Sequence, residues 1–230
     1  MSDYNPTTEA EIADIIAQSQ GPLAIQGGGT KGVICPGKTI STQGLTGIVN
    51  YEPGALTMIA KAGTPLAEIE AVLDKEGQRL AFEPVDFGQV LGQQSDPTIG
   101  GVFAINNSGS RRFQSGAARD FLLGVRFVDG TGQILKNGGR VMKNVTGYDL
   151  VKLLCGSWGT LGVLTEVAFK TLPKSETQRS LVLHGLTSEQ AVNAMTRCVG
   201  SPFEISGAVH LPFDPSGAKT VIRIEGFEGS

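Results

Sequence analysis

The sequence predicts an α+β fold, on three observations. Short runs rich in β-branched residues are interspersed with short amphipathic helical stretches. Glycine fills 32 of 230 positions, about twice the usual share of roughly 7 %. These glycines cluster at 27–32, 100–101, 109–116, 124–139 and 147–162 without a collagen period, as expected of tight turns or of backbone approaching a ligand. From about residue 176 the clusters stop and the texture changes, which marks the opening of a second α+β unit.

The elements follow in order. Residues 8–19 form a helix, with Thr8 and Glu11 as a capping box and Ile12, Ile15 and Ile16 on one apolar face. Gly21-Pro22 ends it. Leu23–Gln26 is a short strand running into Gly27-Gly28-Gly29-Thr30-Lys31-Gly32. Ile48–Tyr51 and Leu56–Ala62 are strands around the turn Glu52-Pro53-Gly54. Thr64-Pro65 reads as an N-cap followed by proline at the first helical position. That helix carries Leu66, Ile69, Val72 and Leu73 and stops at Gly77. Residues 83–98 read as a long polar loop. Thr98–Asn107 begins a short helix with a double glycine in its first turn. Phe121–Val128 and Gln133–Leu135 make a hairpin about Asp129-Gly130-Thr131-Gly132. Thr146–Leu154 is a short helix with Thr146 and Asp149 as its capping pair, and Gly162–Thr171 is a strand ended by Pro173. Beyond 176 come a strand (Ser180–His184), a helix (Ser188–Val199) and strands near 203–210 and 219–226. That unit is thin for independent stability, so it is expected to be incomplete.

Composition narrows the function classes. Lys+Arg 19 against Asp+Glu 22 gives a net charge of −3, with no basic stripe for nucleic acid. No apolar run approaches the roughly 20 residues of a membrane span. The N-terminal MSDYNPTTEAEIADII lacks the basic-then-apolar order of a signal peptide, so a cytoplasmic chain is expected. Cys35, Cys155 and Cys198 are far apart, and His184 and His210 are the only histidines. No ligand set for zinc, haem or iron–sulfur follows. Each cysteine reads as a small buried apolar residue.

Gly27, Gly29 and Gly32 satisfy G-x-G-x-x-G, but the dinucleotide reading of that motif needs a helix to open at the loop. Val33-Ile34-Cys35-Pro36-Gly37 cannot be a helix interior. Consecutive glycines followed by Thr30 and Lys31 can instead turn backbone N–H groups inward as a nest for phosphate oxygens, through charge-assisted bonds. The competing reading is a plain glycine-rich connector, with Lys31 merely solvated. Thr98, Gly100 and Gly101 suit a capped helix N-terminus that favours an anion, with Asn107-Ser108-Gly109 behind it. Arg119-Asp120 is either a site feature or a surface ion pair. Gly156-Ser157-Trp158-Gly159-Thr160-Leu161-Gly162-Val163 enters a strand through glycines, which exposes backbone donors and acceptors to a heteroaromatic edge. Trp158 either covers a ring or packs in the core.

The order GGGTKG, PTIGG–NNSG, GAARDFLLGVRFVDGTGQIL and VTGYDLVKLLCGSWGTLGVLTEV resembles the FAD-binding domain of the vanillyl-alcohol oxidase / p-cresol methylhydroxylase (PCMH-type) superfamily, over about residues 7–175. LTGIVNYEPGALTMIAKAGTPLAEIEAVL, the FEP before the long loop and GGRVMKNVTGYDL are similar to the family of FAD-binding E subunits of bacterial glycolate oxidases, through to the C-terminus. The resemblance implies a two-lobed FAD-binding domain over 1–175 and a partial α+β cap or subunit-interaction segment over 176–230. It implies that Gly27, Gly28, Gly29, Thr30 and Lys31 hold the pyrophosphate. Thr98, Gly100, Gly101, Asn107, Ser108 and Gly109 then line the phosphate and ribityl side, Arg119 stands beside them, and Gly159, Gly162 and Val163 present backbone to the flavin. Relatives often carry Arg where this chain has Gln26. Covalent flavoproteins of the group carry His where this chain has Thr30-Lys31, so FAD is expected to be non-covalent and no metal is expected. The implied function is the FAD-binding subunit of a glycolate (2-hydroxy acid) oxidase or dehydrogenase complex, beside a catalytic flavin subunit and an iron–sulfur subunit, cytoplasmic or peripheral to the inner membrane through them. A stand-alone flavin oxidoreductase and a non-catalytic, FAD-stabilised subunit are the alternatives. No catalytic base stands out: His184 and His210 lie on strand-like stretches, and Lys219 and Arg223 read as solvated.

Overall fold

The computed structural model describes residues 3–92, 96–139 and 147–228. The chain runs α1 (Glu9–Gln18), β1 (Leu23–Gln26), β2 (Lys38–Ser41), β3 (Ile48–Glu52), a 3-10 turn (Pro53–Ala55), β4 (Thr57–Lys61), α2 (Leu66–Lys75), β5 (Gln78–Arg79), α3 (Phe87–Leu91), α4 (Ile99–Ala104), α5 (Arg112–Ser115), α6 (Ala118–Phe121), β6 (Leu122–Val128), β7 (Ile134–Gly138), α7 (Leu150–Leu154), β8 (Val163–Lys170), β9 (Leu172–Pro173), β10 (Thr177–His184), α8 (Ser188–Val199), β11 (Ile205–Leu211) and β12 (Lys219–Gly226). Among the described residues no helix is long and apolar enough to cross a membrane.

The expected α+β class holds. An antiparallel five-stranded sheet in the order β3-β4-β8-β6-β7 carries the main core. Against it pack Leu66, Ile69 and Leu73 of α2, Val102 and Phe103 of α4 and the buried Phe82. Phe82 lies 5.5 Å from both Phe103 and Phe121, and Phe103 lies 5.5 Å from Phe169. Each such side chain contributes roughly 1.5–3 kcal/mol by leaving water. A smaller cluster of Ile12, Leu45, Val128 and Val163 seats α1 on the opposite side. The Thr8–Glu11 capping box forms as expected. Strands β1 and β2 pair in parallel, Leu23 opposite Lys38 through Gln26 opposite Ser41, so the glycine loop is the crossover between them.

Several local expectations change. Thr64 does not cap α2: its hydroxyl accepts from Gly47 N at 3.0 Å and donates to Lys61 O at 2.7 Å. Pro65 takes the cap position, its ring presetting the helical φ without a side-chain bond. The 83–98 stretch is interrupted by α3, which Asp86 caps by accepting from Gly88 N at 2.9 Å; five residues are too few to show a helical period. Asp149 itself caps α7 by accepting from Lys152 N. Thr146, its expected partner, lies outside the described residues, as does the 140–146 part of GGRVMKNVTGYDL. Cys155 is buried, but Cys35 is exposed and Cys198 half-buried. Burial pushes the Cys155 thiol up to about 12.

After residue 176, β10-β12-β11 form one antiparallel sheet with α8 against it. Arg223 of β12 is not solvated. It holds Glu83 through two bonds of 2.6 and 2.8 Å. Glu225, two residues on, takes a two-pronged bond from buried Arg111 and a third from Arg79 at 2.9 Å. These ion pairs tie the C-terminal sheet to the segments around 79–83 and 111.

Candidate functional site

A cleft of about 540 Å³ opens between the glycine loop, the start of α4 and the Trp158–Gly162 segment, within the usual size range of small-molecule sites. Its loop wall begins where β1 ends. Thr42 N donates to Gln26 O at 2.8 Å and anchors the loop at its base. Gly27 stands so close to α4 that a Cβ there would lie 2.6 Å from Thr98 Oγ1, and a Cβ on Gly28 would collide with the backbone of Asp96. Gly29 has φ +70°, a left-handed conformation that favours glycine. Through Gly27–Lys31 no backbone N–H bonds to any described residue. Five successive backbone donors at the wall of a cleft thus have no partner among the described residues.

The wall formed by α4 behaves differently from the expectation. Thr98 is its N-cap, accepting from Gly101 N at 3.3 Å. The remaining first-turn donors are already engaged: Ile99 N with Thr64 O at 3.0 Å and Gly100 N with Ala62 O at 2.8 Å. This N-terminus therefore offers no free first-turn N–H groups of the kind an anion site needs. Gly100 exists for packing, since a Cβ would sit 2.5 Å from Ala62 Cβ and 2.7 Å from its carbonyl oxygen.

The third wall is the 158–162 turn. Trp158 has φ +58° and its N–H donates to Ala104 O at 2.8 Å. It is 55 % exposed, which removes the core-packing reading, and it lines the cleft. Gly159 (φ +75°) and Gly162 (φ +153°) complete the turn. A Cβ on Gly162 would stand 2.9 Å from the Phe127 ring and from Val128 O.

Of the residues expected at the site, Gly27, Gly28, Gly29, Thr30, Lys31, Thr98, Gly100, Gly101, Gly159 and Gly162 come together in this cleft. Asn107, Ser108, Gly109, Arg119 and Val163 do not line it. Asn107 is buried and bonds both backbone groups of Val85, at 3.1 and 2.8 Å. Ser108 Oγ accepts from Ala118 N at 2.9 Å, and Gly109 lets the chain pass against Glu83. Arg119 is exposed, with its backbone N on Asn106 Oδ1. Neighbouring Asp120 accepts from Ala117 N and makes the start of α6, not a pair with Arg119. Val163 packs in the small core beside Val128. Conversely, Thr39, Thr42, Ala62, Ile105 and exposed Cys35 line the cleft. No local signal marks them; the β1–β2 pairing and the packing of α4 bring them in.

Among the described residues Lys31 is the one cation in the lining, which holds no carboxylate. Its Nζ sits 3.8 Å from the centre of the Phe87 ring, a cation–π distance. Burial lowers its pKa, and the charge of Asp86 opposes that shift. No histidine or carboxylate is present to take a proton, and His184 and His210 lie elsewhere, His210 Nδ1 being 3.0 Å from Thr220 Oγ1. Among the described residues no group of three His, Cys, Asp or Glu side chains could hold a metal. The cleft thus sets a run of backbone donors and one lysine against apolar surface, and among the described residues Lys31 and Cys35 are its titratable side chains.

A family model described as "FAD binding domain" matches residues 4–138. Over 231 residues the chain is 39 % identical to glycolate oxidase subunit GlcE of Escherichia coli (strain K12), covering 99 % of this chain and 62 % of that protein. It is 31 % identical to glycolate oxidase subunit GlcD of Bacillus subtilis (strain 168), over 75 % of this chain and 36 % of that one. A D-lactate dehydrogenase of Archaeoglobus fulgidus is 29 % identical, over 83 % and 43 %. The solved structure of alkyldihydroxyacetonephosphate synthase superposes with a TM-score of 0.77 at 21 % identity, covering 98 % of this chain and 47 % of that one; it speaks for the fold alone. The chain spans less than two thirds of each of these proteins.

Proposed function

This chain belongs to the FAD-binding-domain family, and on that premise we propose that its cleft holds FAD without a covalent link, as the FAD-binding subunit of a glycolate (2-hydroxy acid) oxidase or dehydrogenase complex. The observation that carries the reading is the run of backbone N–H groups through Gly27–Lys31 at the cleft wall that bond to no described residue. Their donors suit a pyrophosphate, and Lys31 adds a positive charge. Thr98, Gly100 and Gly101 form the opposite wall, and Trp158, Gly159 and Gly162 leave room for a flat ring. Asn107, Ser108 and Gly109 act outside the lining, by bracing Val85, Ala118 and Glu83, while Arg119 is exposed and Val163 packs in the small core. When bound, FAD supplies a flavin able to accept a hydride equivalent from a carbon bearing a hydroxyl. The protein binds, orients and excludes water.

The 39 % identity to a glycolate oxidase subunit supports this complex, with a catalytic flavin subunit and an iron–sulfur subunit as partners and a cytoplasmic or peripheral inner-membrane place. We assign residues 1–175 to the FAD-binding domain and 176–230 to part of a cap. Among the described residues the cleft lining holds no histidine or carboxylate, which supports electron acceptance or relay beside a catalytic partner. A stand-alone oxidoreductase for another 2-hydroxy acid is the second reading, supported by the D-lactate dehydrogenase relative.

The test is an absorption spectrum of the purified chain before and after acid precipitation. A yellow protein that releases its flavin to the supernatant is expected. Cys35 is the one thiol at the cleft, so flavin retained by wild type and lost from Cys35→Ser would replace the non-covalent reading with a thioether. Glycolate is expected to bleach the flavin only when the partner subunits are present. Turnover by the chain alone would favour the second reading.

FAD is also expected to stabilise the fold. A ligand at a hundredfold excess over its Kd, bound only to the folded form, contributes about 2.7 kcal/mol. At roughly 2–4 °C per kcal/mol for a chain of this size, melting rises by about 5–10 °C. Cleavage of the apo form is expected first within 32–38, where every residue is exposed, and not within 106–115, whose Asn107, Gly109 and Ser115 bond to Val85, Phe82 and Ala81. Identical melts and thermolysin patterns with and without FAD contradict this.

A further inference from the structure

We infer that Arg223, on the C-terminal sheet and outside the cleft, is a positioning residue for cofactor binding: it docks Glu83, and through Glu83 the 83–92 segment that presents Phe87 to Lys31 of the glycine loop. The inference rests on the FAD reading above.

The route is continuous. Arg223 is held by its own sheet, with Nε on Ser206 Oγ and Nη2 on Ser206 O, both at 2.9 Å. Its two terminal nitrogens grip the Glu83 carboxylate at 2.6 and 2.8 Å. Glu83 Oε2 also accepts from Ser110 Oγ at 3.0 Å and Arg111 N at 3.3 Å. The Glu83 backbone needs that grip. Its φ is +51°, a conformation disfavoured for a side chain with a Cβ, which persists only when the surroundings over-determine it. Two residues on, Asn107 fixes both backbone groups of Val85. Asp86 then caps α3, and Phe87, its first residue, lies 3.8 Å from Lys31 Nζ.

Without Arg223, Glu83 has a relaxed alternative at negative φ, and a rotation there strains the two Asn107–Val85 bonds that set the chain entering α3. Lys31 then loses its aromatic neighbour, and the loop loses a contact that holds it in the bonding geometry. If only a fraction of molecules keep that geometry, the apparent Kd rises by the inverse of the fraction. Contiguity by itself does not show coupling, so the measurement has to be a double-mutant cycle.

The experiment uses the full chain and FAD fluorescence quenching, well below the apo melting temperature. Arg223→Ala and Phe87→Leu are each expected to weaken FAD about two- to thirtyfold, and together no more than the larger single effect. Arg223→Lys keeps a charge but not the two-pronged bond, and should fall between wild type and Arg223→Ala. Thr187→Ala removes the N-cap of α8 in the same C-terminal unit; it should lower melting and leave the Kd unchanged. Wild-type affinity in both Arg223 variants overturns the inference. So do independent, multiplying effects of Arg223→Ala and Phe87→Leu, or a Thr187→Ala loss as large as that of Arg223→Ala. A wild-type chain that binds no FAD overturns the functional reading, and the inference with it.

Discussion

Gly101→Leu is expected to weaken FAD about a hundredfold while the apo form melts no lower than wild type, whereas Gly100→Ala is expected to destabilise the apo fold itself. The two glycines are adjacent in α4 and differ in what a side chain meets. At Gly101 a Cβ has one near neighbour, Thr98 Oγ1 at 3.1 Å, and the position lines the cleft. Leucine suits a helix better than glycine by a few tenths to 1 kcal/mol, so the fold tolerates it. Its branch fills space the cofactor needs, and overfilling a formed site costs about 1–3 kcal/mol, one to two decades in Kd. At Gly100 a Cβ would press on the backbone of Ala62, which follows β4. Helix and sheet must then separate at a point where Gly100 N bonds Ala62 O. Fluorescence titration with FAD and apo melting curves separate the two outcomes. Unchanged affinity in Gly101→Leu would move the cofactor out of this cleft.

The Glu225 cluster carries the second large effect, on acid stability. Burial alone would raise this carboxyl. Hydrogen bonds and charge from Arg111, then Arg79, outweigh burial and hold it at about 2, against an ordinary 4.5. Glu225 is 5 % exposed and Arg111 4 % exposed, so screening by water is slight. A folded pKa below the unfolded one gives stability that is complete above about pH 5 and is lost as pH falls towards 2. The depression is worth about 3 kcal/mol. Glu225→Gln is expected to cost about 3 kcal/mol at pH 7, because it leaves the Arg111 charge buried without its partner. Its deficit should shrink as pH drops from 5 to 3. Denaturant melts across that range measure it. Wild-type and variant curves that stay parallel would mean Glu225 is not the titrating group.

Some of this site was legible in the chain itself. Thr8 and Glu11, Asp149 before Leu150, and the Gly27–Lys31 run followed by Pro36-Gly37 are signals confined to a few neighbouring residues. Local backbone sterics and capping chemistry settle such features whatever surrounds them. The helix over Ser188–Val199 was readable for the same reason. Thr64 shows the limit. Its sequence context is that of an N-cap, but Gly47, 17 residues away, offers a better partner.

The sequence by itself determined the α+β class, the family likeness and the glycine-rich loop after β1, because each rests on residue order and local conformation. Tertiary structure decided which donors are free. The first turn of α4 looks like an anion site until Ala62 and Thr64 are seen to occupy its N–H groups. It also decided that Asn107 and Gly109 brace Val85 and Glu83 and do not touch the cleft, and that Arg223 and Arg111 are paired across the molecule with Glu83 and Glu225. Those pairings join residues 22 to 140 positions apart. A hydrogen bond or ion pair depends on distance in space, and separation along the chain carries no record of it.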